Sequence, residues 1–225
     1  MSKGNRSWDA THVVHLLSER RMKTYITAAD ADLDNAFELY AWNIELAAAL
    51  QGTIAMVEVM VRNSIDRTLL AWVSRKRCGD WFDLAMLDEH AKSDIATARA
   101  RIRRNGRLAD HDRVVAELSF GFWRFLTTRR YHASLWVPVL HQAFPNGDSD
   151  LRVRQREVAH LLGNMNFIRN RAAHLEPLFR RDVCHDVAEA RALMGWIDLD
   201  ALEWFDATLT LDGVLETRPA FLDVS

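Results

Sequence analysis

"AWNIELAAALQGTIAMVEVMVRNSIDRTLLAWV", from Ala41 to Val73, is a stretch in which apolar residues recur at spacings of three and four. That spacing is the period of a helix, and a strand would instead alternate apolar and polar residues. Gly52 is the weakest point of the stretch, because glycine disfavours a helix interior. The pattern predicts one long helix, or two helices in line, from about Ala31 to Arg75.

The same spacing recurs along the rest of the chain. Its 225 residues include only nine glycines and four prolines, and 49% of them are hydrophobic. We therefore expect an all-α protein that forms a single domain over residues 1–225, arranged as an up-and-down helical bundle. Further helices are predicted over residues 8–27, 84–104, 112–128 and about 150–175, and loops over residues 77–81 and 144–150.

The charges are unevenly distributed, although the formal net charge is only -2. The segment from about 197 to 225 carries seven acids against Arg218, and its apolar residues predict that it docks as a helix. The strongest basic cluster is "RARIRRNGR", residues 99–107, in which Arg101, Arg103 and Arg104 are candidate contacts to RNA phosphates. A solvated helix face is the alternative interpretation of this cluster.

Several classes of function find no support in the sequence. The two cysteines, Cys78 and Cys184, lack a second pair at metal-ligand spacing, so we expect two reduced thiols and neither a zinc site nor a disulfide framework. We also expect no cofactor. His12 and His15 have no evident third ligand. No apolar run approaches the roughly 20 residues that span a bilayer, and the first residues do not resemble a signal peptide. We expect a cytoplasmic protein without a membrane partner.

"NFIRNRAAHLEPLF", from Asn166 to Phe179, concentrates polar side chains on a predicted helix. At about 100° per residue, Asn166, Asn170 and His174 share one side. Arg169 lies about 140° from His174 round the helix, so it must wrap around or face a second chain. Pro177 should end the helix near His174 or Leu175. The opposite side forms an apolar stripe of Leu161, Met165, Ile168, Ala172 and Leu175.

The residue types of this stretch suit the cleavage of a phosphodiester without a metal. A guanidinium group binds phosphate, an imidazole transfers protons near neutral pH, and an amide can orient either group. An exposed polar helix face that ends in a capping histidine is the alternative.

The stretch "RNRAAH", Arg169 to His174, is similar to the Arg-polar-x-x-x-His signature of HEPN domains. The longer "FIRNRAAHLEPLF" resembles the motif region of Abi-like (abortive infection) bacterial proteins. Other blocks resemble the same family in the same order, so that the resemblance covers roughly residues 12 to 195: residues 38–69, "GDWF" at residues 79–82, and residues 118–145.

The resemblance implies a HEPN-type bundle, with extra N- and C-terminal helices here, that pairs as a homodimer and brings two motif helices together. It further implies a metal-independent endoribonuclease of phage defence, or a toxin, in which the ribose 2′-OH attacks the adjacent phosphate. Arg169 would stabilise the phosphorane, Asn170 would orient the phosphate or the imidazole, and His174 would act as general acid or base. An antitoxin or regulatory partner is an additional expectation.

Other residues are candidates for the same cleft or for RNA binding: Asn166, Arg171, Glu176, Arg62 and Asn63. A helix-to-helix contact is an equal alternative for Arg62 and Asn63. Family members often have a second histidine at the position of Leu175. If that histidine shares in the proton transfer, its absence would reduce activity; if it only packs or contacts the substrate, little would change. The alternative functions are a non-catalytic HEPN module that binds RNA or a partner protein, and a helical scaffold without a nucleic-acid role.

Overall fold

A computed structural model describes residues 7–77 and 79–223, and over this range the protein is all-α, as predicted. It contains ten α-helices and no strand within the described residues. They are α1 (Ala10–Leu17), α2 (Glu19–Ala28), α3 (Leu33–Arg75), α4 (Glu89–Arg104), α5 (His111–Glu117), α6 (Phe120–Leu126), α7 (Leu151–Ala173), α8 (Val183–Ile197), α9 (Leu199–Thr208) and α10 (Leu211–Glu216).

Short helical turns connect some of these helices. Trp81–Asp83, Arg129–Tyr131, Leu140–Ala143 and Ala220–Asp223 are 3-10 turns, and His132–Trp136 is a π-helical turn. Cys78, one of the two predicted free thiols, lies outside the described residues, whereas Cys184 is free and exposed.

Helix α3 confirms the long helix that the sequence predicts, because it runs unbroken for 43 residues through Gly52. A Cβ atom at Gly52 would meet nothing within 4 Å, so no neighbour requires glycine there. An 18-residue stretch of α3 has a mean hydropathy of 1.6, so by length and composition α3 could cross a membrane, but core helices of soluble proteins share these properties. The expectation of no membrane partner stays a prediction.

Three helices differ from their predicted bounds because a side chain caps the backbone inside the predicted segment. Ser18 has a φ of 75° and its hydroxyl accepts from the N–H of Arg21, which divides residues 8–27 into α1 and α2. Ser119 accepts from the N–H of Phe122 in the same way, so residues 112–128 form α5 and α6. Asp88 caps α4, which therefore begins at Glu89 rather than at residue 84.

The loop over residues 144–150 and the helix after it are confirmed. The Oδ1 atom of Asp150 accepts from the N–H of Arg152 at 2.7 Å and from that of Val153 at 3.4 Å. These backbone bonds lower the pKa of the Asp150 carboxyl, because they stabilise its charged form. Val158, Leu162, Met165, Ile168 and Ala172 are the buried stripe of α7, so Leu162 occupies the place predicted for Leu161.

The chain divides into two compact units. The first unit comprises the residues up to Thr53, Ile168–Asp182 and the residues from Leu209 onward, and its core includes Met22, Tyr25 and Leu46. The second unit comprises Ile54–Phe167 and Val183–Thr208. The single domain and the up-and-down arrangement stay predictions.

The core of the second unit is aromatic. Trp81, Phe122 and Trp123 are buried there with their rings in contact. Phe122 and Trp123 of α6 thus pack in this core. Phe125 is half-buried against the ring of His90.

The acidic C-terminal segment is helical, as predicted, through α9, α10 and the turn that follows them. Phe205 is buried in the second unit and Leu211 in the first. Trp204 and Leu199 are 47% and 68% exposed, so the docking predicted for this segment holds for only some of its apolar residues.

Candidate functional site

The chain turns sharply after α7, directly beyond the motif. Leu175 has a φ of 50°. Its N–H donates to the carbonyl of Ala172 at 3.0 Å, and the N–H of Glu176 donates to the carbonyl of Arg171 at 2.9 Å. This pair of bonds is the Schellman arrangement, in which glycine usually takes the left-handed position. Leu175 therefore lies beyond the helix in a strained conformation, and the prediction that it continues the helical stripe is wrong.

The three predicted catalytic side chains are at the surface of the first unit. Arg169, Asn170 and His174 are all exposed, so His174 is not a core histidine, as the sequence predicts. The Nη1 atom of Arg169 donates to Oδ1 of Asn170 at 3.5 Å, at the limit of a hydrogen bond. No described hydrogen bond joins Arg169 to His174. The guanidinium of Arg169 thus contacts the amide of its chain neighbour Asn170, and the catalytic role of both residues stays a prediction.

A guanidinium group from another helix closes the end of α7. Arg21, on α2, donates to the carbonyl of Leu175 at 2.9 Å and to that of His174 at 3.4 Å from each Nη atom. A C-terminal capping histidine would serve these last carbonyls with its own ring. Arg21 serves the carbonyls of His174 and Leu175, and no hydrogen bond of the His174 imidazole is present among the described residues.

Two further side chains, both on α3, hold the same turn. Asn43 is fully buried; its Nδ2 donates to the carbonyl of Glu176 at 3.2 Å, and its Oδ1 accepts from the N–H of Leu178 at 2.7 Å. Gln51 donates to the carbonyl of Ala172 at 3.4 Å. The sequence does not predict that Arg21, Asn43 and Gln51 position the motif. Each lies more than 100 positions from its partner, and no local pattern marks them.

Arg171 and Glu176, two of the predicted cleft residues, contact each other. The Nη2 atom of Arg171 donates to the carbonyl of Pro177 at 2.9 Å, and its Nε lies 3.5 Å from the carboxylate of Glu176. Both therefore stabilise the turn, and their role in binding RNA stays a prediction.

Tyr25 lies in the core of the first unit. Burial raises its pKa to about 12, with repulsion from Tyr40 adding to the rise, while Arg21 and Arg171 act in the opposite direction. The phenol is therefore protonated at neutral pH. Its hydroxyl has no hydrogen-bond partner among the described residues. Tyr25 thus contributes to packing, while its buried and unpaired hydroxyl lowers the stability of the fold.

The remaining cleft candidates belong to the second unit. Asn166 and Arg62 are half-buried, and Asn63 is exposed on α3. The Nε atom of Arg62 is buried without a hydrogen-bond partner in the described part of the chain. Arg62 thus fits the packed alternative better than Asn63 does, and the cleft role of both residues stays a prediction.

The arginine cluster of α4 is largely accessible. Arg101 lies 3.7 Å from the carboxylate of Glu117, and its side chain is 60% exposed. Arg103, Arg104 and Arg107 are exposed beyond it, where Gly106 makes a turn with a φ of 70°. Among the described residues these three arginines have no ion pair. Arg103, Arg104 and Arg107 can therefore bind phosphates without losing an ion pair.

Comparisons of this chain with protein-family models, curated proteins and solved structures give no match. The resemblance to Abi-like HEPN proteins accordingly stays a prediction. Within the described residues, no group of three or more histidine, cysteine or acidic side chains is arranged to hold a metal ion.

Proposed function

We propose that this protein is a metal-independent HEPN-type endoribonuclease that acts in the cytoplasm in phage defence, or as a toxin held by an antitoxin. The observation that carries the proposal is the exposure of Arg169, Asn170 and His174 at one helix end whose backbone is fixed by other residues. A fixed backbone favours catalysis, because catalytic side chains must be held close to the geometry of the transition state.

In the proposed reaction the ribose 2′-oxygen forms a bond to the adjacent phosphorus and the bond to the 5′-oxygen breaks. A proton leaves the 2′-OH and another reaches the 5′-oxygen, so the products are a 2′,3′-cyclic phosphate and a 5′-OH. His174 carries one of these protons. Arg169 stabilises the negative charge that develops on the phosphorane, and Asn170 orients the phosphate through the contact it shares with Arg169.

A second copy of the chain is part of the proposal. Arg169 and His174 point about 140° apart round α7, and no described hydrogen bond joins them. A homodimer can bring the arginine of one chain to the histidine of the other. If so, a mixture of Arg169→Ala and His174→Ala proteins should regain part of the activity that each has lost, whereas a site within one chain predicts no recovery.

The test is cleavage of a mixed RNA pool by the purified protein in EDTA, with the product ends mapped. The wild type should form cyclic-phosphate ends, and His174→Ala should lose at least about a hundredfold in rate, as expected for a general acid or base. His12→Ala is the matched control, because His12 is also exposed and lies on α1. Equal loss in both variants, or cleavage that EDTA abolishes, would contradict the proposal.

The second candidate function is an RNA-binding module without cleavage. The unpaired and exposed Arg103, Arg104 and Arg107 favour it, because such groups bind phosphates of any sequence. This function predicts salt-dependent RNA binding that an Arg103→Ala/Arg104→Ala variant weakens, together with intact RNA in the wild-type reaction.

A further inference from the structure

The first unit contains a charged pocket with a volume of about 660 Å³. Arg180, Arg181 and Arg218 line it together with Asp30 and Asp182, so its lining carries one net positive charge, three arginines less two aspartates. The volume lies in the range of pockets that hold small ligands.

Arg180 is the cation of this pocket that a ligand can reach most easily. It is exposed, and its guanidinium lies 5.3 Å from the ring centroid of Phe179. Arg181, Asp182 and Arg218 already take part in other interactions, whereas Arg180 has no ion pair within the described residues. A phosphate can therefore bind Arg180 without displacing a carboxylate. Its planar fork also suits the paired hydrogen bonds that phosphate accepts.

The acidic side of the pocket disfavours a simple anion and favours a ligand that also carries hydrogen-bond donors. Asp30 and Asp182 contribute carboxylates, and Thr27 and Ala28 belong to the C-terminal end of α2, where the helix dipole is negative. A bare inorganic anion would be repelled there. A nucleotide suits both sides, because its phosphate is anionic while its sugar hydroxyls and base amino groups can donate to carboxylates.

Helix α2 connects this pocket to the motif within the same unit. Arg21 binds the carbonyls at the end of the motif helix, Tyr25 packs against the ring of Phe179 at 5.5 Å, and Ala28 lines the pocket. From Arg21 to Ala28 a helix rises about 10 Å. A stacked strand advances about 3.4 Å per nucleotide, so this rise along α2 corresponds to about three nucleotides.

We infer that this pocket binds a phosphate-bearing nucleotide, with the phosphate on Arg180 and the sugar or base beside Asp30 and Asp182. The nucleotide is either part of an RNA strand that continues from the motif, a form that rests on the proposed function, or a free nucleotide. Both sources present the same chemistry to the pocket.

The test compares Arg180→Ala and Arg180→Lys with Arg20→Ala, a matched control. Arg20 is an exposed arginine of the same unit and does not line the pocket. One arm measures the Kd for a fluorescent 2′-O-methyl RNA 12-mer, which cannot be cleaved, over a range of salt. The other arm measures calorimetric binding of adenosine and uridine 5′-monophosphates, with inorganic phosphate as a comparison. Thermal unfolding should be the same for all variants, because both arginines are exposed.

We expect Arg180→Ala to weaken RNA binding roughly fivefold to tenfold and to reduce the salt slope by about 0.7, the value for one contact to a single strand. Arg180→Lys should keep most of the slope, and Arg20→Ala should bind as the wild type does. Weakening in the RNA arm alone assigns the pocket to a strand, and weakening in both arms shows that it also takes free nucleotides. No difference between Arg180→Ala and Arg20→Ala in either arm, or inorganic phosphate binding as tightly as the monophosphates, would overturn the inference.

The two proposals fail separately. The Kd of the uncleavable RNA reports binding alone, so the comparison of Arg180→Ala with Arg20→Ala does not depend on whether the protein cleaves RNA. Absence of cleavage would remove the ribonuclease and leave the Kd comparison valid. Unchanged Kd values with normal cleavage would remove the pocket and leave the ribonuclease.

Discussion

Replacing Asn43 with alanine should destabilise the first unit and loosen the turn that follows His174. The change removes the donor to the carbonyl of Glu176 and the acceptor of the N–H of Leu178. Asn43 is 0% exposed, so water cannot replace either bond without entering the core. Each lost bond costs about 1 kcal/mol, and each backbone group left unpaired adds to this, so we expect a total loss of about 2 to 4 kcal/mol.

The assay is urea unfolding of wild type, Asn43→Ala and Asn63→Ala. Asn63 is a matched control, because it is an asparagine of the same helix with an exposed side chain. Its variant should stay within about 0.5 kcal/mol of the wild type. Hydrogen exchange should also quicken at the amide of Leu178 in Asn43→Ala, since that amide donates to Asn43. A loss of stability no larger than that of Asn63→Ala, with unchanged exchange at Leu178, would refute the reasoning.

Two further predictions concern stability. Partial burial lowers the pKa of His111, but the hydrogen bonds at 2.8 Å to Asp80 and Asp66 and their charges raise it by more, so the net pKa is above 6.5. Because the folded state then binds the proton more tightly than the unfolded chain does, protonation of His111 increases the free energy of unfolding. This stabilisation is fully present below about pH 6.5 and is lost as the pH rises through the pKa of the folded state. Urea unfolding at about pH 6 and at about pH 8 should show that the free energy of unfolding falls more between these two values for the wild type than for His111→Gln. Equal falls in the two proteins would contradict the prediction. At Leu175, where φ is 50°, Leu175→Gly should be about 1 kcal/mol more stable than Leu175→Ala in the same assay. A right-handed helical position would give the opposite order.

Much of the fold could be predicted from the sequence, because the signals for helices are local. The spacing of apolar residues in α3, the turn at Gly106 and the cap at Asp150 each depend on a few neighbouring positions. The breaks at Ser18 and Ser119 were missed because the apolar pattern continues across them. In both places a serine hydroxyl accepts from a backbone N–H three residues later, a signal that the sequence does contain.

The supports of the candidate site could not be predicted in the same way. Arg21 and Asn43 reach residues 133 to 154 positions away, and their residue types are ordinary on helices. Only the packing of α2 and α3 within the first unit reveals which arginine and which asparagine meet the turn. The sequence alone could predict that Arg169, Asn170 and His174 are exposed. Only the folded structure shows that Arg21 and Asn43 hold the backbone directly after them.

The left-handed residue after the motif bears on the question that Leu175 raises. Leu175 has a positive φ directly after a helix, a position that glycine or asparagine usually occupies because they adopt this backbone conformation most easily. Leucine gains nothing from this conformation, yet its carbonyl receives the strongest contact of Arg21, at 2.9 Å. The residue at this position thus holds the turn through its backbone, and the side chain is not needed for that role. If the second histidine of Abi-like proteins, which the motif resembles, takes the same conformation, its absence here leaves the backbone of the site intact. In the proposed reaction, proton transfer then depends on His174.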